Sequence, residues 1–60
     1  MGERIKHLRE KAGLSQKRLA EILGIDQSAV ARWETGENTP AANRIKPLAD
    51  ALGCTPGDLF

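Results

Sequence analysis

At 60 residues the chain is a single domain near the lower size limit for an unaided hydrophobic core, able to bury only about 60% of its unfolded surface. The lone Cys54 excludes an internal disulfide, no Cys and His grouping has metal-ligand spacing, and no cofactor motif appears, so helix packing must hold the fold. Nine basic against eight acidic residues give a net charge of +1, far from the basic excess that alone marks a nucleic-acid binder, and no apolar run could span a membrane.

Periodicity and punctuation divide the chain into short helices. Ile5, Leu8 and Ala12 recur at i, i+3 and i+7 as one stripe of an amphipathic first helix, stopped by Gly13. Ser15 is a good N-cap for a second helix of about two turns, with Leu19, Ala20 and Leu23 on its inner face and Gly24 as its stop. Asp26 can cap a third, in which Val30 and Trp33 point inward before Thr35 and Gly36 end it. Residues 37–40 read as a loop. Ile45, Leu48, Ala49 and Leu52 then give a fourth helical period closing at Gly53, but Pro47 cannot donate a backbone hydrogen bond and clashes one turn back, so a break at Pro47 is expected. Thr55, Pro56 and Asp58 fit cap, first and third positions of a fifth element that carries Leu59 and Phe60 to the core. Strand signals are absent, and the expectation is an all-α fold.

The second and third helices carry the functional reading. Ala20 is small where the next helix must cross, Gly24 permits the sharp turn, and Val30 plugs the crossing from the other side. The segment LSQKRLAEILGIDQSAVARWETG, residues 14–36, resembles the core motif of the lambda-repressor-like family, the phage repressor and Cro or xenobiotic-response-element type of helix-turn-helix. The resemblance extends over residues 2–60. It implies a compact five-helix DNA-binding domain over residues 1–60, whose third helix, from about Gln27, enters the major groove.

With Asp26 as cap, Gln27, Ser28, Ala31 and Arg32 lie opposite Val30 and Trp33 and are the expected base readers. Gln27 can pair bidentately with adenine and Arg32 with guanine, while Ala31 can touch a thymine methyl. The resemblance further implies backbone contacts from Gln16, at the start of the second helix, and from Thr35, Asn38, Thr39 and Arg44, with Lys17 a plausible addition. Gln16 is also positioned to brace Gln27. Glu37 and Asp26 place negative charge near the expected phosphate path, which lowers the affinity expected of one domain.

Several of these residues have plainer readings. The family pattern pairs Arg9 with Glu34 across helices 1 and 3, which makes Glu34 structural rather than catalytic. Trp33, spaced from Val30 by three, is a core residue before it is a stacking platform. His7 lacks a nucleophile or second ligand at motif spacing and reads as an exposed side chain. Cys54 follows Gly53, where a small apolar group packs back on the helix as a buried, inert thiol.

The expected function is sequence-specific binding of double-stranded DNA by a transcriptional regulator, with repression the first expectation, as a homodimer on a palindromic operator. Leu59 and Phe60 could contribute to a dimer contact instead of the core. The alternative is a protein-interaction module, such as an antitoxin or co-regulator, which the near-neutral charge, Asp26 and Glu37 favour slightly. An enzyme is not expected: no nucleophile and base pair, phosphate loop or metal set is present. With charges following Met1 in place of a signal peptide, the expected location is cytoplasmic, and nucleoid-associated for a bacterial or phage chain.

Overall fold

The computed structural model describes all 60 residues as four α-helices and one closing 3-10 turn: α1 Gly2–Lys11, α2 Gln16–Leu23, α3 Gln27–Thr35, α4 Ala42–Leu52, and Pro56–Leu59. α1 and α2 both pack on α3, α4 packs on α2, and the closing turn rests on α4 and α1. Each element contributes to one core of Ile5, Leu19, Ala20, Val30, Trp33, Leu48, Ala49, Leu52 and Leu59. Fully burying one aliphatic side chain of this size contributes about 1.5–3 kcal/mol, so these few side chains supply most of what holds so short a chain folded.

The inner stripe of α1 departs from the expected one. Ile5 is buried and Leu8 half-buried, but Ala12 is exposed, past the last helical residue, and the buried position is taken by Arg9. An apolar-period count cannot anticipate a buried arginine, because its burial depends on a partner from another helix.

α4 runs unbroken through Pro47, against the expected break. The bond that proline removes is the one its N–H would give to the carbonyl of Asn43, and both residues are exposed, so water can satisfy that carbonyl. Leu48, Ala49 and Leu52 are meanwhile locked in the core on the helix's inner face. The loss falls where it costs least.

The fifth element is a single 3-10 turn, not a helix. Asp58 N–H donates to Thr55 O at 3.0 Å and Phe60 N–H to Gly57 O at 3.3 Å, both three residues back. Pro56 and Gly57, the two weakest helix formers, open it. The expected cap is present: the Thr55 N–H donates to Asp58 Oδ2 at 3.0 Å, and that bond, with the Thr55 side chain, holds the Asp58 carboxyl below its ordinary pKa. Leu59 is fully buried, whereas Phe60 is 73% exposed and does not join the core. Cys54 is half-buried beside the core, and burial, with the nearby Asp58 charge, pushes its thiol pKa up.

Candidate nucleic-acid interface

Ser15 starts α2 by accepting the Arg18 N–H on its Oγ at 2.9 Å, which satisfies one of the free amides of the first turn. Gly24 ends the helix at φ 69°, a left-handed conformation that a side-chain-bearing residue adopts only with strain. Three residues later, at Gln27, α3 begins. Asp26 occupies its N-cap position but makes no side-chain capping bond; its carbonyl accepts the Ala29 N–H at 3.0 Å. The Asp26 carboxylate is thus left at the exposed tip.

Val30 and Trp33 fix the rotation of α3 about its axis by inserting into the core. That rotation leaves Gln27, Ser28 and Arg32 exposed and Ala31 half-buried on the outer side. Lys17, Thr35, Asn38 and Thr39 are also exposed, while Gln16 and Arg44 are half-buried.

A charged network ties the end of α3 to α1 and α2. Arg9 Nε contacts Glu34 Oε2 at 2.6 Å and Arg9 Nη2 contacts Oε1 at 3.2 Å, a two-point pairing. The third arm of the guanidinium, Nη1, donates to the Leu14 carbonyl at 2.8 Å, and Gln16 Nε2 donates to Glu34 Oε1 at 3.0 Å. Burial alone would raise the Glu34 pKa, but the bonds from Arg9 and Gln16 and the Arg9 charge outweigh it and hold the carboxyl below its ordinary value. The same pairing raises the Arg9 pKa. Gln16 therefore braces Glu34, near the C-terminal end of α3, and not Gln27 at its tip.

The segment following α3 folds back on Arg32. The Arg32 carbonyl accepts the Asn38 N–H and the Thr35 hydroxyl, each at 3.2 Å, and the Glu37 N–H donates to Thr35 Oγ1 at 3.4 Å. Arg32 Nε and Glu37 Oε2 form an ion pair at 3.4 Å. Pro40 is buried and anchors the end of this loop. The exposed side chains thus stand in two groups: Gln27 and Ser28 at the start of α3, and Arg32 and Thr35 one to two turns further on, with Asn38 just past the helix end.

A family model for helix-turn-helix domains matches residues 5–59. The chain belongs to the lambda-repressor-like helix-turn-helix family. Among its relatives, repressor protein C2 of Salmonella phage P22 is 36% identical over 60 residues, covering 100% of this chain and 28% of that repressor. The chain spans less than half the length of such curated relatives. Two solved helix-turn-helix structures superimpose closely. The restriction-modification controller protein C.AhdI of Aeromonas hydrophila has a TM-score of 0.91 at 41% identity, covering 98% of this chain and 89% of that one. The P22 c2 repressor, solved in complex with a synthetic operator, has a TM-score of 0.92 at 34% identity, with the same coverage of 98% and 89%.

Two features of this helix-turn-helix domain escape sequence reading. Gly2 lies so close to the end of α3 that a Cβ there would sit 2.6 Å from both the Trp33 and Glu34 carbonyl oxygens. A glycine at the first helical position, where a better helix former would fit, was the available signal. The ion pair between Arg32 and Glu37 spans a helix end and had none, since their spacing of five is not a helical-neighbour spacing.

Proposed function

We propose that this chain is the DNA-binding domain of a transcriptional regulator, reading the major groove with the outer face of α3 and acting in the first instance as a repressor. The observation that carries the reading is the division of α3 into an anchored face, Val30 and Trp33, and an exposed face carrying Gln27, Ser28 and Arg32. The same fold occurs in a repressor bound to a synthetic operator, which supports it.

In this reading Gln27 pairs with adenine N6 and N7, Arg32 with guanine O6 and N7, Ser28 bonds to an adjacent base edge, and Ala31 meets a thymine methyl. Gln16, Lys17, Thr35, Asn38, Thr39 and Arg44 contact the sugar-phosphate backbone and fix register without reading sequence. Gln16 keeps one amide hydrogen beyond the one given to Glu34 for such a contact.

The domain measures 23 × 23 × 19 Å, shorter than one turn of duplex at roughly 34 Å. One copy therefore reads only a few base pairs, and two copies on a palindromic operator, one turn apart, supply the specificity a single copy lacks. Occupying a promoter in this way blocks polymerase.

The roles separate in a binding-site selection from random duplexes. Arg32→Ala relaxes base preference at one operator position, because it removes a bidentate partner worth about 1–3 kcal/mol of discrimination. Gln16→Ala weakens binding to all sequences about equally. The reverse pattern would overturn these assignments.

A further inference from the structure

The geometry points to Glu37 as a positioning residue that aims Arg32 at its base and so sets sequence preference, an inference that rests on the groove-reading assigned above. An exposed arginine on a helix samples many rotamers, and ordering it on DNA has an entropic cost that erodes discrimination. Arg32 is held from two sides. Its carbonyl takes the Asn38 N–H and the Thr35 hydroxyl, both at 3.2 Å, which sets the following loop against the helix. Thr35 Oγ1 in turn accepts the Glu37 N–H at 3.4 Å, placing the Glu37 side chain beside the Arg32 guanidinium.

The resulting ion pair joins Glu37 Oε2 to Arg32 Nε at 3.4 Å. Its location on the guanidinium matters. Nε is the guanidinium nitrogen nearest Glu37, and neither Nη1 nor Nη2 of Arg32 donates a hydrogen bond within the protein. Those two donors form an end-on fork that can match guanine O6 and N7 bidentately. Glu37 can thus stay bound to Arg32 while the fork engages the base, with no exchange of partners.

A carboxylate beside the duplex also repels phosphates, and that effect is the same for every sequence. The two effects of Glu37 are therefore separable: charge acts on all duplexes alike, aim acts at one base pair. An acid that acted through charge alone would leave the ranking of bases untouched.

The test is quantitative binding to the duplex enriched by the wild-type chain and to its three variants at the Arg32-dependent position, for wild type, Glu37→Gln, Arg32→Ala and the double variant. Glu37→Gln is expected to bind non-cognate duplexes more tightly while losing about two- to fivefold of base preference at that one position, the range of an exposed ion pair. In the Arg32→Ala background the same substitution is expected to shift all four duplexes equally. Equal shifts of all four duplexes in the wild-type background would overturn the positioning role while leaving groove-reading intact. Failure of the wild-type chain to enrich any duplex would overturn groove-reading itself, and this inference with it. Because Glu37 is exposed, its melting temperature serves as the folding control and is expected to be unchanged.

Discussion

Arg9 and Glu34 are two charges taken almost out of water, with side chains only 11% and 4% exposed. Desolvation on this scale is repaid only while both partners remain, so Arg9→Ala strands a carboxylate and is expected to cost about 3 kcal/mol. That is most of what a domain of about this size possesses, and thermal melts should show the variant largely unfolded at 37 °C. The pair also makes stability depend on pH. Because the folded state holds Glu34 below its ordinary value of 4.5, the carboxylate's contribution is complete above that pH. It is lost as pH falls through the folded value, where the unfolded chain binds the extra proton. Acid titration followed by circular dichroism should therefore show a steep loss of stability below pH 4.5 that is shallower in Glu34→Gln. Identical acid profiles would contradict this. Gly2 makes a different single-residue prediction: Gly2→Ala forces a methyl against two carbonyl oxygens at 2.6 Å. The usual gain of alanine in a helix is outweighed, and a net loss of about 1–3 kcal/mol should appear as a lower melting temperature.

Element ends and inner faces could be read from the sequence where the cause was local. Ser15, Gly24 and the Thr55 and Asp58 cap act within a turn of themselves, and the structure has them where spacing puts them. Where the cause lay in another element, local spacing did not show it. Arg9 replaced Ala12 on the inner face of α1 because Glu34 arrives from α3, a pairing that the family resemblance supplied and the apolar period did not, and α4 survives Pro47 because the core grips its other side. The proline remains a local defect in an exposed stretch, which gives a directional prediction. Pro47→Ala restores the bond to the Asn43 carbonyl, worth up to about 3 kcal/mol in a helix interior, against less than about 1 kcal/mol of unfolded-chain entropy given up. A net rise in melting temperature is expected, and a fall would mean that the ring itself packs on something the helix needs.

At the scale of the whole molecule, the fold was legible because the pair α2 and α3 is specified by few residues, Ala20, Gly24, Val30 and Trp33, whose sizes and spacing leave little freedom. The outer face followed by subtraction, since what is not buried on α3 must face outward. Contacts between the outer residues were not legible, because Gln16 choosing Glu34 and Arg32 choosing Glu37 depend on how helix ends meet in space. The charge distribution carries its own expectation. Only Lys17 and Arg44 among the proposed backbone contacts are cationic, about four charges in a dimer, so log affinity should fall with log salt at a slope close to −4. A slope near zero would fit a protein interface better than a duplex.

Whether the outer face of α3 reads base edges is decided by selection from a random duplex library, run with the wild-type chain and with Gln27→Ala plus Arg32→Ala. A two-fold symmetric motif is expected to be enriched by the wild type and lost in the double variant, with the variant's melting temperature unchanged. Enrichment of the same motif by both proteins, or of none by the wild type, would contradict groove-reading by α3.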